Sequence, residues 1–505
     1  MTQAAGPDWL GGQEWIRLSP RMLLVHPVHE VLRQIPVLIG SLVLGSATGN
    51  PVWAVVGVGL IVGYGLARWF TTTYRIGSEE VQLRSGVLQR KVLSVPRNRI
   101  RSVSTDARLL HRVLGLTVLR VSTGQEAAGD TSFALDAVPA REVPALRATL
   151  LAESPAHIGP AGIGPAGTSG RVLARWQLSW LRYSPLTFTG LLMIAGTFGV
   201  LSQAGVLAAL RDSRAVRAGT GLFEAMGAVG SFLVGAAVIL TASVALSVSQ
   251  SLLTYANLEL RRDADLLHLS NGLLRVREST FDMRRLRGGS LREPLLVRLF
   301  GGARLDAVMT GVAGVGEASQ LLPPCPRRTA ESVLADLISE PDAVTGAVTP
   351  HGSVATRRRW NRAMALPAVV ALVLVVLTAT VGAPAWTWPA LAVLVLFSAF
   401  LAVDRSRSLG HRVGGGWLVA RAGSLVRRRD CVSAAGIVGW TVRQTVLQRR
   451  AGVATLIAAT AAGVKRYEVI DVPADLAWSM AAVTSPWVGA TRWARNQPDF
   501  QLRSP

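Results

Sequence analysis

Charge is scarce in this chain. Of 505 residues only 17% are charged, against 50% hydrophobic, and the mean hydropathy is +0.36. That balance sets aside intrinsic disorder and an ordinary soluble enzyme. Lysine is scarcer still: Lys91 and Lys465 are the only two, so arginine carries almost all of the formal net charge of +22. Basic charge beside apolar runs points to anionic lipid ahead of nucleic acid. Two cysteines, Cys325 and Cys431, form no CxxC or other ligand spacing, which argues against zinc and a disulfide framework. No GxSxG, HExxH or SxxK occurs, and no acids pair inside an apolar run. The residues therefore give no nucleophile, no metalloprotease helix and no ionisable transport pathway. The expectation is a non-enzyme without a cofactor.

Long uncharged stretches are present instead. Residues 34–67 hold no charged side chain and are broken by Gly49-Asn50-Pro51; residues 363–403 repeat the pattern around Gly382-Ala383-Pro384, with Trp386 and Trp388 placed as interfacial anchors. A spanning helix needs roughly 20 apolar residues, so each stretch reads as two short helices joined by a turn, with a re-entrant hairpin as the alternative for the first. Residues 183–210 and 225–258, separated by Arg211-Asp212-Ser213-Arg214, supply a further pair. The expectation is six spans in three pairs. The N-terminus lacks the features of a secretory signal peptide. Paired spans leave the polar segments and both termini on one side. Arg17, Arg21, Arg33, Arg68, Arg357 to Arg359, Arg362, Arg405 and Arg407 crowd the span ends, which places that side in the cytoplasm. Arg211, Arg214 and Arg217 run against the rule. A transporter would need polar residues facing a bundle interior, and the spans offer little beyond Gln203 and Gln250.

After each pair comes a segment with period-2 alternation and a glycine turn. Val81 to Lys91 carries Ser85-Gly86, Leu266 to Arg275 carries Asn271-Gly272, and Trp417 to Arg427 carries Ala422-Gly423. Glycine there supplies the positive φ of a tight hairpin. Counted from Gly86, Gly272 and Gly423, a leucine recurs 24 residues on (Leu110, Leu296, Leu447), an arginine 26 on (Arg112, Arg298, Arg449) and a glycine 29 on (Gly115, Gly301, Gly452). Several residue types at shared offsets establish an internal triplication. Each copy continues with a short strand, such as 117–121 or 455–458, and ends in an apolar helix over 141–151, from Pro326 through Ile338, or over 475–483. This reads as a bent antiparallel sheet closed by a helix.

Tyr74-Arg75-Ile76, Arg84-Ser85-Gly86-Val87-Leu88, Val95-Pro96-Arg97-Asn98-Arg99-Ile100-Arg101-Ser102-Val103 and Leu109-Leu110-His111-Arg112-Val113-Leu114-Gly115-Leu116 together resemble the bacterial membrane-flanked pleckstrin-homology-like domain family of the YdbS/YdbT type. The second copy has Met283-Arg284-Arg285-Leu286 where the first has Pro-Arg-Asn-Arg-Ile, and the third has Ala434-Ala435-Gly436-Ile437. The three-copy arrangement is similar to the longer, YdbT-like members. The resemblance implies a polytopic α-helical membrane protein carrying three α+β domains, each a seven-stranded barrel with a C-terminal helix, and no established enzymatic activity. It also implies a one-domain relative as partner and a role in envelope stress or resistance to membrane-active agents.

The resulting map is an N-terminal segment (1–33), a membrane hairpin (34–70), a first domain (71–152), a flexible linker (153–182), a second membrane pair (183–258), a second domain (259–340), a linker (341–361), a third hairpin (362–404), a third domain (405–490) and a tail (491–505). Arg84, Arg90 and Lys91 flank the first turn, and Arg97, Arg99 and Arg101 alternate onto one face. This cluster is the candidate surface for anionic headgroups or a protein partner, at about 1 kcal/mol per basic residue near a membrane surface; a solvated basic face is the other reading. The recurrent Arg112, Arg298 and Arg449 suit a structural hydrogen bond to strand-end carbonyls or a lip contact. His26-Pro27-Val28-His29-Glu30 reads as a juxtamembrane turn, because the proline spoils a helical ligand face and no third ligand is at hand. Gly311-Val312-Ala313-Gly314-Val315-Gly316 lacks the lysine of a phosphate loop and reads as a loop. The leading expectation is a scaffold whose partners add a strand to an open sheet edge or lie beside the terminal helix, with anionic-lipid sensing as the alternative and no nucleic-acid partner.

Overall fold

The structure is a computed structural model. It describes residues 15–17, 63, 67, 70–77, 80–85, 91–96, 102–107, 109–122, 133–143, 146, 170–187, 189–203, 214–310 and 319–490. The chain divides into two compact units, 1–284 and 285–505.

In the first unit, β1 (Ile16–Arg17), β2 (Thr73–Ile76), β3 (Glu80–Ser85) and β4 (Lys91–Pro96) form a four-stranded antiparallel sheet in that order. β5 (Ser102–Ala107), the short helix α1 (Leu109–Val113), β6 (Leu116–Ser122) and β7 (Phe133–Pro139) follow. β8 (Arg171–Arg175) comes next, then helices α2 (Thr189–Gln203) and α3 (Arg214–Tyr255), then β9 (Glu259–Asp263), β10 (Leu266–Asn271) and β11 (Val276–Asp282). These seven strands make one sheet ordered β7-β6-β5-β11-β10-β9-β8. The alternation read from sequence places Tyr74, Val81 and Val95 on the inner face of the first sheet. They form one core with Leu116, Leu119 and Val121 of β6, Leu135 and Val138 of β7, and Val143 and Leu146 beyond it. Each such buried side chain contributes about 1.5–3 kcal/mol.

In the second unit, β12 (Leu286–Pro294), α4 (Leu295–Leu299), β13 (Gly302–Met309) and β14 (Gln320–Pro326) lead to α5 (Arg327–Ile338) and α6 (Pro341–Thr345). Two long helices follow, α7 (Gly352–Thr380) and α8 (Thr387–Ser408), then β15 (Gly410–Gly414), β16 (Trp417–Ala422) and β17 (Val426–Ser433). The chain closes with β18 (Ile437–Arg443), α9 (Val446–Arg450), β19 (Val453–Thr460), β20 (Arg466–Pro473) and α10 (Ala474–Thr484). The sheets here are β14-β13-β12-β17-β16-β15 and β18-β19-β20. Leu418, Ala420 and Val432 of the larger sheet pack with Leu456, Ala458, Val469 and Val472 of the smaller one, and Met480 and Ala481 of α10 cap that core.

Gly272 and Gly423 have φ of 110° and 105°, as the hairpin turns require, and a Cβ on either would run into the carbonyl of Arg275 or Val426. Gly86 lies outside the described residues.

Three helices are long and apolar enough to cross a membrane: 27 residues of α3 (Val229–Tyr255), 29 of α7 and 22 of α8. The expected six spans are thus corrected to three among the described residues. The first hairpin falls almost wholly outside them. In the second pair, residues expected to open a span instead form two 3-10 turns, Leu178–Tyr183 and Pro185–Thr187, with Trp180 and Tyr183 buried. Helix α2 therefore starts only at Thr189, and its apolar part is the shorter Thr189–Gly199. Gly227, at φ 69°, breaks α3 just ahead of its apolar length. At Gly190 α2 approaches α3 so closely that a Cβ would collide with the Ser243 carbonyl, the kind of small-residue contact that joins helices in membranes.

The membrane-length helices interrupt a strand pair. β8 pairs with β9 across α2 and α3, and Thr349 forms a bridge with His411 of β15 across α7 and α8. Likewise β1 pairs with β2 across the apolar stretch 34–67. The segments read as linkers are therefore built in part: 153–182 contains β8, and 341–361 contains α6, the Thr349 bridge and the start of α7. Each segment supplies backbone groups that the following sheet needs for its edge.

Candidate functional site

Each long sheet joins strands from two consecutive segments of the three that share the glycine offsets in sequence, called repeats below in that sense. β5 of the first repeat pairs with β11 of the second, and β12 of the second pairs with β17 of the third. The register is the same at both seams. Counted from the turn glycines, residue 19 of one repeat faces residue 6 of the next, as Thr105↔Glu278 and as Leu291↔Arg429. Residue 21 faces residue 4, as Ala107↔Val276 and Glu293↔Arg427.

Charge reinforces these seams. At the first, Arg275 Nε donates to Asp106 Oδ1 at 2.6 Å and its Nη2 bonds the other oxygen. Burial alone would raise the Asp106 pKa, yet Arg275, with Arg120 and Arg277, holds its carboxyl below the usual carboxylate range. At the second, Arg292 faces Arg428, and each has an acid beside it, Asp306 at 2.8 Å and Asp430 at 3.6 Å. Ser290 Oγ donates to Asp430 directly across the strands.

The recurrent arginines stand at these seams. Arg112 Nη1 donates to the carbonyl of Leu273, the residue after the next repeat's turn glycine, at 3.2 Å. Arg298 pairs with Asp404 at 2.8 Å, and Asp404 accepts from Ser424 Oγ, the residue after Gly423, at 2.9 Å. Asp404 also binds Arg427 at 2.8 Å. Arg449, in the last repeat, is exposed and has no partner among the described residues.

The basic cluster of the first repeat is described only in part. Arg84 lies over the Trp15 ring at 4.2 Å, with Arg75 at 5.6 Å. Lys91 takes its place in β4 opposite Ser85. Arg90, Arg97, Arg99 and Arg101, the motif at 26–30 and the glycine-rich run at 311–316 lie outside the described residues.

A second cation cluster, not singled out in the sequence, lies in the second unit. A cavity of about 410 Å³ is lined by Arg292, Arg359, Arg405 and Arg428, with Leu409 and Ile470 completing the wall. No carboxylate lines it. Arg405 has no acidic partner among the described residues, whereas buried Arg359 reaches Asp471 at 3.0 Å. Alternation and spacing could not reveal this cluster, because its arginines come from a strand, the start of α7, the end of α8 and a second strand. Beside it, the rings of His351 and His411 meet in a tilted arrangement with centroids 5.0 Å apart, and His351 Nδ1 donates to the Ile470 carbonyl at 2.8 Å. Both cysteines are buried with free thiols, pushed up to about 12 by desolvation. Among the described residues no three His, Cys, Asp or Glu side chains gather as a metal site.

No curated protein and no solved structure matches the chain. A family model described as Bacterial PH domain matches residues 31–154 and 363–481, regions that include the apolar stretches 34–67 and 363–403 and all or most of the sheet-forming segment after each, and this is consistent with a bacterial PH-like family.

Proposed function

We propose that the chain is a non-enzymatic, membrane-anchored scaffold. Its three repeats are PH-like domains of the YdbT-like arrangement, held at the cytoplasmic face, and they bind protein partners by strand addition. The observation that carries this reading is the pair of seams in one register, which leaves β18 of the last repeat with a single strand neighbour among the described residues. An unpaired edge presents a row of N–H and C=O groups to an incoming strand, and pockets beside it set the specificity. A photoreactive residue in place of Val442, activated in native membranes, is expected to give discrete protein adducts. Irradiation yielding only lipid adducts or none would contradict the reading.

The arginine-lined cavity favours a second reading, contact with an anionic lipid headgroup. Arg292, Arg359 and Arg428 are each paired with an acid outside the lining, and Arg405, without one among the described residues, is the guanidinium best placed to bind a phosphate group through two parallel N–H donors. Arg405 lies in the last turn of a membrane-length helix, where headgroups are within reach. Purified protein in anionic nanodiscs should retain the lipid in a saturable way that Arg405→Gln weakens. Equal retention by the variant and by the parent protein would dismiss this reading.

A further inference from the structure

The repeats join head to tail, and the chain keeps both halves of one more seam. β4 of the first repeat corresponds to β11 and β17, and among the described residues its only strand neighbour is β3. β18 of the last repeat corresponds to β5 and β12, and among the described residues its only neighbour is β19. We infer that β18 of one molecule pairs with β4 of a second copy of this chain, in the register of the two internal seams. The inference rests on the strand-addition reading above and names its occupant.

Exposure at equivalent positions supports it. At the closed seam of the second repeat, Ser290, Leu291 and Glu293 are buried and Leu295 and Leu296 are half-buried. At the open edge of the third repeat the matching Thr441 and Gln444 are exposed, Val442 is half-buried, and Val446 and Leu447 are 70% and 64% exposed. Arg298 is held by Asp404 beside the next repeat's turn, whereas the matching Arg449 stands exposed. On the receiving side Val92, in the register position of Glu278 and Arg429, is 54% exposed. The edge therefore carries the strand, the apolar residues and the arginine of a seam.

The shared register fixes the pairs. Val442 faces Val92, and Arg443 faces Lys91. The first seam has an acid and a base at the latter position, Asp106 and Arg277, so Arg443→Glu should strengthen the contact.

The test uses two differently tagged full-length chains expressed together, one carrying Val92→Cys and the other Val442→Cys. Both native thiols are buried, so the new pair dominates oxidation. A disulfide joining the two tags is expected, with a yield at least about 5-fold above that of Ser94→Cys with Val442→Cys, because diagonal Cβ atoms lie beyond disulfide reach. Adding Arg443→Glu to the second chain should raise the yield further. Absence of the mixed disulfide, equal yields from both pairs, or a lower yield with Arg443→Glu would overturn the second copy as occupant. If photoadducts to another protein persist at Val442 in that case, strand addition itself stands and only its occupant changes.

Discussion

Asp471 is fully buried at a φ of 58°, with Arg358 Nε at 3.3 Å, Arg359 Nη2 at 3.0 Å and Gln448 Nε2 donating at 2.9 Å. It ties the first turns of α7 to β20 and α9. Asp471→Ala leaves two buried guanidiniums without a counter-charge, and breaking a buried pair in this way costs about 3–5 kcal/mol. Thermal unfolding of the purified protein should show a correspondingly lower midpoint, and an unchanged midpoint would remove Asp471 from this role. The neighbouring histidines make stability depend on pH. Burial lowers the pKa of His351, and burial followed by the charge of His351 brings His411 down to about 4. A folded pKa below the unfolded value means that the unfolded chain takes up protons first. The contribution of the neutral pair is therefore intact above about pH 6.5 and is lost as pH falls from there toward 4. The slope amounts to at most about 1.4 kcal/mol per pH unit for each proton. His411→Gln should flatten the fall in midpoint between pH 6.5 and 5, and an identical slope in the variant would speak against the pair.

Strands at a seam and strands at an edge should respond differently to the same change. Leu291 is 2% exposed in β12, between β13 and β17, so Leu291→Lys buries an unpaired charge and should unfold the second unit or cost several kcal/mol. Val442→Lys, at the matching position of β18, alters a half-buried side chain at the border of the core, from which the long lysine can reach solvent, so it should cost clearly less than Leu291→Lys while abolishing strand addition. Comparing the two midpoints by calorimetry checks the assignment of seam and edge, and equal losses would refute it. Much of this element pattern was legible in the sequence. The turn glycines, the alternation around them and the shared offsets gave the hairpins β10–β11 and β16–β17 and the helices α5 and α10. The first strand of each repeat was not legible. Ile16–Arg17 and Arg171–Arg175 are short, and their partners lie beyond an apolar segment, where local patterning cannot point. The seams were hidden for the same reason, since β5 and β11 stand more than 160 residues apart. Tyr183 read as the start of a span because it is apolar, although it closes a 3-10 turn and is fully buried.

The molecule as a whole follows one rule applied repeatedly. A strand pair, or in the third case a single bridge, is interrupted by an apolar segment, the chain returns to complete the sheet, and in the first two cases one of the next three strands pairs with the sheet that follows. A head-to-tail contact of this kind is heterologous and extends into a ring or a row unless it is capped. Blue-native electrophoresis of mildly solubilised membranes should therefore show species larger than the 53.6 kDa monomer, reduced by Val442→Lys. A single monomeric band in both cases would contradict self-association.

The most direct measurement is amide hydrogen exchange of Ile437–Arg443, read against Val453–Thr460 as an internal standard. Val453–Thr460 lies between two strands and should be protected in native membranes and after purification at high dilution alike. The account expects Ile437–Arg443 to be protected in membranes, where its edge is occupied, and to exchange rapidly once the protein is purified and diluted. Rapid exchange of that strand in both preparations would show that nothing adds to the edge and would contradict the account.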